Sequence, residues 1–347
     1  MKTTTAIVAA PGKIDYIQQE LRPLGERDIL IKMDAVGLCH SDVPKYAGTC
    51  DVDYREEGFR YVKDVEYPCM IGHEPIATVM ETGKAVTRFR AGDRITGFIS
   101  AAFTQYMVIS DDAIFTRVPN AGYDPLTCIG EPLGCTMNIV DNVMCEDASR
   151  VAVVGCGAMG LMVISALRGC NITDLVAIDI AADKRALAME MGATGAMNPL
   201  DGDVQLAAFS RTDGRFFDAV VEITGSLRGL ETAGSIVKFP HINGRHEQPY
   251  QARGRIVSAS VYSREETFSR RLGYELMTRS PLICVAHPIG AISVNRNVER
   301  GAHAWQTGRI PMEKLVTHRI KFEEIEKGFA WLTHAPQGYI KGIVTFD

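Results

Sequence analysis

The feature that most limits the fold of this chain is a regular alternation that begins at Arg150. The run "RVAVVG" is short and apolar, and "MGLMVISALRG" after it is apolar on most helical faces. "DLVAIDI", "ADKRALAMEMGA" and "FDAVVEITG" repeat the strand–helix–strand pattern. Strands separated by helices pair in parallel, so this region predicts a doubly wound parallel sheet covered on both faces. Residues 1–115 have another texture. "TAIVAA", "DILIKMDAVGL", "IATVMETG", "DRITGFI" and "QYMVIS" are short β-like runs punctuated by Gly, Pro and Asp. They predict a strand-dominated, barrel-like unit. After "RGRIVSASV" and "PLICVAH" the chain leaves the parallel sheet and ends with an amphipathic helix, "RIKFEEIEKGFAWLTH", and a strand, "KGIVTFD". With 347 residues the chain exceeds one ordinary core. The simplest architecture is a parallel-sheet domain inserted into a β-rich domain whose two parts are distant in sequence.

Residues 155–160 read Gly-Cys-Gly-Ala-Met-Gly, a G-x-G-x-x-G. Three glycines in six residues mean little alone, but these follow a strand and open a helix, the context that a dinucleotide site requires. Gly155 suits the tight turn, Gly157 a close approach of backbone to pyrophosphate, and Gly160 close helix–strand packing. The helix start adds free N–H groups and the positive end of its dipole. Asp179 follows at the end of the next strand. A carboxylate there accepts from ribose hydroxyls and repels a 2′-phosphate, so NAD is expected over NADP. The alternative is a plain βαβ unit with no ligand.

Bulk properties exclude other classes. The composition, 46% hydrophobic and 23% charged, is that of a globular protein. A net charge of −5 without a basic run argues against nucleic-acid binding. No apolar stretch nears the ~18 residues of a membrane span, and "MKTTTAIVAAPGK" lacks the apolar core of a signal peptide. A cytoplasmic protein is expected. Nine cysteines, an odd number in no repeating frame, fit reduced thiols better than a disulfide scaffold.

Two polar clusters stand out in the β-rich part: Cys39-His40-Ser41-Asp42 and Gly72-His73-Glu74-Pro75. Thiolate, imidazole and carboxylate from Cys39, His73 and Glu74 suit a zinc ion with one open position. Their spacing alone leaves two readings open, scattered polar residues or a shared metal, since the chain has no C-x-x-C pair. The dinucleotide fingerprint favours the metal, because removing hydride from an alcohol benefits from a Lewis acid on its oxygen.

The ordered set "GLCHSD", "GHEPIATVMETG", "AGDRITG", "GEPLGC" and "VAVVGCGAMGLM" resembles the zinc-dependent medium-chain alcohol/polyol dehydrogenases, including the sorbitol, threonine and butanediol enzymes. The resemblance runs through the closing "EKLVTHRIKFEEIEKGFAWL". It implies a Rossmann NAD-binding domain, residues 141–291, inserted in a GroES-like β-barrel catalytic domain, residues 1–140 and 292–347. It also implies Cys39, His73, Glu74 and Glu131 as zinc ligands, Glu74 as an exchangeable one. Asp42 matches an acid that orients a ligand, and Ser41 matches the hydroxyl that takes the substrate proton. His40 matches a basic position facing the cofactor pyrophosphate. Ala158 and Met159 of the fingerprint, and Lys184 beyond Asp179, join the expected cofactor contacts.

The departures from the family pattern are informative. No Cys lies between Asp93 and Gln105, where a structural zinc would sit, so one catalytic zinc per subunit is expected. Pro44 stands where a relay His is usual, and Ala77 replaces a Gly. Residues 49–67 and 239–254 look long. The first, rich in charge and aromatics, is expected to act as a lid or binding loop that shapes the substrate pocket. The second, with His241, Arg245, His246 and Arg253, is expected to be a polar loop or hairpin without a catalytic role. Glu131 and the missing structural zinc imply a secondary alcohol within a polyol or other polar substrate. A zinc-independent quinone or enoyl reductase and a non-enzymatic NAD-binding protein are the alternatives. The run "SPLICVAH" sits where family members pair edge strands, so the resemblance implies a homodimer or homotetramer.

Overall fold

A computed structural model describes residues 1–49, 51–56, 59–145, 150–240, 253–260, 262, 267 and 269–346. These divide into two compact units: Met1–Gly134 with Val298–Gln306 and Met312–Asp347, and Cys135–Asn297 with Thr307–Pro311. Two of the four divisions fall inside helices, Gly130–Val143 and Val294–Gln306, and the other two bound the segment Thr307–Pro311.

The second unit holds six parallel strands. Their order is Gly195–Met197, Asp174–Ile178, Arg150–Val154, Ala219–Glu222, Arg255–Ser258, Leu282–Val285. Numbered along the chain this is 3-2-1-4-5-6, the dinucleotide-binding arrangement. Val151, Ala152, Val153 and Val154 are all buried, because helices cover both faces. The helices begin where the sequence offers caps: Asp203, Ser226 and Ser269 each accept a backbone N–H of the first turn.

The first unit is built round a mixed seven-stranded sheet. Its main path is Val316–Lys321, Lys341–Thr345, Asp28–Gly37, Pro75–Thr82, Arg94–Gly97, Phe115–Arg117, and Tyr106–Ser110 also pairs with Asp28–Gly37. Along Asp28–Gly37, Ile29, Ile31, Met33 and Ala35 are buried while Leu30, Lys32 and Asp34 are half-buried. That is the period of two of a sheet with one face on the core. Phe103, Leu38, Phe329 and Ile325 pack on that face.

Residues 51–64, expected as a loop, instead carry a two-stranded antiparallel sheet, Asp51–Glu56 against Phe59–Asp64, in register from Asp51↔Asp64 to Glu56↔Phe59. The alternation of β-formers in "DVDYRE" and "FRYVKD" explains it. In the stretch 239–254, His241, Arg245 and His246 lie outside the described residues. No described helix is long and apolar enough to cross a membrane.

Candidate active site

The metal-type residues meet through strand pairing. Asp28–Gly37 and Pro75–Thr82 are antiparallel with Val36 opposite Pro75, so the end of one strand lies beside the start of the other. Gly37 N–H donates to the Glu74 carbonyl at 2.9 Å and extends the ladder. Cys39, just past the first strand, thereby faces His73 and Glu74, just before the second. Their ligating atoms lie within 4.8 Å of one another. Among the described residues this is the one such group.

The turn His40–Asp42 adds the supporting groups. Asp42 is buried; its Oδ1 accepts from Gly72 N–H at 3.3 Å, and its Oδ2 stands 3.2 Å from His73 Nδ1. His73 Nε2 therefore faces the other way, 3.3 Å from Ser41 Oγ. Ser41 Oγ also donates to Cys39 Sγ at 3.3 Å. Burial opposes charge on His73, but pairing with Asp42 and Cys39 outweighs it and pushes the imidazole up to about 12.

Glu74 is almost wholly buried and has a partner that sequence reasoning missed. Its Oε1 accepts from Lys341 Nζ at 2.7 Å, and its Oε2 is 2.6 Å from the same nitrogen. Lys341 Nζ also donates to the Leu38 carbonyl at 2.9 Å. Burial alone would lower the pKa of Lys341; Glu74 and Cys39 reverse this and raise it above the ordinary lysine value. The strand Lys341–Thr345 brings the ammonium there by pairing with Asp28–Gly37, Ile343 opposite Gly37. Gly37 is the second missed residue. A Cβ on it would come within 1.8 Å of Glu74 Oε2, so only glycine leaves the carboxylate its place. The signal was the Gly of "GLCHSD"; nothing local marks Lys341.

Glu131 is buried in the first turn of Gly130–Val143 and is not part of the Cys39–His73–Glu74 group. One hydroxyl links the two segments: Thr96 Oγ1 donates to the Pro75 carbonyl at 2.8 Å and accepts from Gly130 N–H at 2.7 Å. His40 is exposed at the start of its turn, and Pro44 lies in the first turn of the helix Val43–Ala47.

Cysteine thiolate, imidazole and carboxylate within one small volume, with the second imidazole nitrogen paired to an acid, fit a zinc ion. Cys39, His73 and Glu74 are the residues that could hold it.

In the second unit the fingerprint glycines take three different roles. Gly155 has φ of 102°, a left-handed conformation. A Cβ on Gly160 would sit 1.9 Å from the Gly155 carbonyl oxygen. Beside Gly157 there is open space, with nothing within 4 Å of a Cβ. Gly157 caps the helix Ala158–Leu167, whose first turn carries Ala158 and Met159. Asp179 leaves the strand Asp174–Ile178 and accepts from Cys156 N–H at 2.7 Å and Ala181 N–H at 2.8 Å. It thus joins the fingerprint turn to the next loop, with lone pairs left on both oxygens. Lys184 is half-buried in the helix Ala182–Met191 and is among the charges that act on Cys156. At the same edge of the sheet buried Glu222 accepts from Thr224 N–H at 2.8 Å and from Tyr262 OH, tying two loops.

Residues 25–120 match the alcohol dehydrogenase GroES-like domain, and residues 158–240 match the zinc-binding dehydrogenase family, together a little over half of the chain. The chain belongs to the medium-chain zinc-type alcohol dehydrogenase family. It is 28% identical over 263 residues to an L-threonine 3-dehydrogenase of Caldanaerobacter subterraneus subsp. tengcongensis, covering 65% of this chain and 72% of that one. It is 23% identical over 346 residues to the (R,R)-butanediol dehydrogenase of Bacillus subtilis, covering 92% of each. In fold it resembles an Escherichia coli oxidoreductase/dehydrogenase of unknown specificity, with a TM-score of 0.81, 20% identity and 100% coverage of both chains. Within this family the GroES-like part is the first unit and the Rossmann part the second.

Proposed function

We propose that this dehydrogenase oxidises, reversibly, a secondary alcohol of a polyol or other polar hydroxylated compound, with one zinc per subunit and NAD as acceptor. The observation that carries the reading is the convergence of Cys39, His73 and Glu74, with the Ser41 hydroxyl beside the first two, in a chain with an intact dinucleotide fingerprint. When bound, zinc supplies Lewis acidity to the substrate oxygen and NAD accepts the hydride.

The side chains do the rest. Cys39 and His73 would hold the metal with a carboxylate, from Glu74 or Glu131. Asp42 fixes the imidazole through Nδ1 and leaves Nε2 for the metal. Ser41, exposed beside both ligands, takes the hydroxyl proton and passes it to water, since Pro44 offers no second relay. The amides at the start of Ala158–Leu167 would hold the pyrophosphate of a bound NAD, and His40 and Lys184 would add positive charge. Asp179 accepts from the ribose hydroxyls and disfavours a 2′-phosphate.

The two relatives are named for L-threonine and (R,R)-butanediol, polar hydroxylated compounds, which supports a polar substrate class. A cytoplasmic location goes with this reading, since that is where the proposed NAD acceptor is supplied. Ile283 and Val285, 51% and 70% exposed on the edge strand Leu282–Val285, support a homodimer or homotetramer.

The test is a panel of polyols, vicinal diols, amino alcohols and cyclitols, read by NADH absorbance alongside metal analysis. Turnover of a polar secondary alcohol by a protein with one zinc is expected. A protein that keeps no zinc yet reduces quinones or enones would overturn the reading.

A further inference from the structure

Two cysteines of the second unit meet away from the fingerprint. Cys145 follows the helix Gly130–Val143, and Cys170 follows Ala158–Leu167. Each precedes a parallel strand, Arg150–Val154 or Asp174–Ile178, so both lie at the amino edge of the sheet. The fingerprint lies at the carboxyl edge. Neither thiol serves the reaction proposed above.

The two thiols share a hydrogen bond. Arg309 Nη2 donates to Cys170 Sγ at 3.5 Å. That guanidinium is anchored, since its Nε donates to the Ala166 carbonyl at 2.9 Å and its Nη2 binds the same oxygen. Both cysteines are partly exposed. By contrast, Cys128 and Cys156 are buried, and burial pushes their thiols up.

We infer that Cys145 and Cys170 form a thiol–disulfide exchange site for small disulfides, with Cys170 as the attacking thiolate and Cys145 as the resolving thiol. A fixed cation, a thiol donor and access to solvent are what a reactive cysteine needs. The hydrogen bond from Cys145 and the charge of Arg309 lower the pKa of Cys170, outweighing burial, and Cys145 is raised in return.

The exchange balances without another reactant. Cys170 thiolate attacks one sulfur of a small disulfide RSSR, forming Cys170–S–S–R and releasing RS⁻. Cys145 gives its proton to that RS⁻ and attacks the Cys170 sulfur, displacing the second RS⁻, which is protonated by solvent. The protein dithiol is oxidised by two electrons, and RSSR is reduced to two RSH. The product joins the segment after Gly130–Val143 to the segment after Ala158–Leu167.

The experiment uses the full chain and oxidised glutathione. After incubation at pH 7.5, free-thiol titration and peptide mass mapping should show two thiols lost and the Cys145 and Cys170 peptides cross-linked. Cys145→Ser should stop at the mixed disulfide on Cys170, and Cys170→Ser should form neither product. In Cys145→Ser/Cys170→Ser, alcohol turnover should stay within about twofold of wild type, since both residues lie outside the catalytic groups. Iodoacetamide should modify Cys170 at least tenfold faster than Cys145, and Arg309→Gln should slow it. Mapping that finds glutathione on other cysteines while 145 and 170 stay reduced would overturn the proposal. So would equal alkylation rates for the two thiols.

Discussion

The two candidate sites of this chain are assembled in opposite ways. The cofactor fingerprint is local: Gly155, Gly157 and Gly160 act within one turn, and Asp179 reaches back to Cys156 across a single strand–helix–strand step. The metal cluster is not. It draws on Gly37 to Asp42, on His73 and Glu74, and on Lys341, three segments aligned only by neighbouring strands. The difference teaches where each site is fragile. A change in the fingerprint acts through one turn of backbone, whereas a change near the metal acts through a network whose members are far apart in the chain.

The sharpest way to break the comparison is to remove the metal alone. Cys39→Ala should lose zinc by elemental analysis and lower kcat/KM by roughly 10³-fold or more, given the several kcal/mol a Lewis acid supplies. NAD binding, followed by NADH fluorescence, should stay near wild type. Two zinc ions per wild-type chain would refute the single centre.

Next in size is the distant partner. Lys341→Met leaves the Glu74 carboxylate buried without its cation and should cost about 3–5 kcal/mol in chemical denaturation. Lys341→Arg, which keeps the charge, should recover part of this. A wild-type denaturation midpoint for Lys341→Met would show that Glu74 does not depend on it.

Ser41→Ala tests the chemistry rather than the assembly. It should reduce kcat by about 10²-fold while zinc content is unchanged. Wild-type turnover in this variant would mean that water takes the proton directly.

On the cofactor side the expected effect is smaller. Asp179→Asn keeps one of the two acceptors used by the Cys156 and Ala181 amides and removes the charge, so the kcat/KM ratio for NAD over NADP should narrow. A wild-type enzyme that prefers NADP would contradict the role given to Asp179.

The smallest effect on chemistry is expected from the hairpin. Replacing 51–64 by a short Gly/Ser linker should raise KM and reorder the substrates, with zinc content and NAD affinity unchanged. An unaltered substrate order would show that specificity lies elsewhere in the first unit.

The sequence by itself determined the features written in neighbouring residues. The six-residue fingerprint, the alternation after Arg150 and the period of two along Asp28–Gly37 are short-range patterns, and backbone geometry translates them directly into structure. The pairing of "GLCHSD" with "GHEP" was one of two readings open to the residue types, favoured by the fingerprint and the family resemblance; Val36 facing Pro75 supplies its physical cause. Tertiary structure alone decided the rest. The strand character of 51–64 was hidden beneath its charge, because polar residues on alternating positions read as loop as easily as strand. The contacts of Lys341 with Glu74 and of Cys145 with Cys170 and Arg309 left no trace in spacing. A buried charge is made tolerable by whatever opposite charge the packed fold sets beside it, and that neighbour can come from anywhere along the chain.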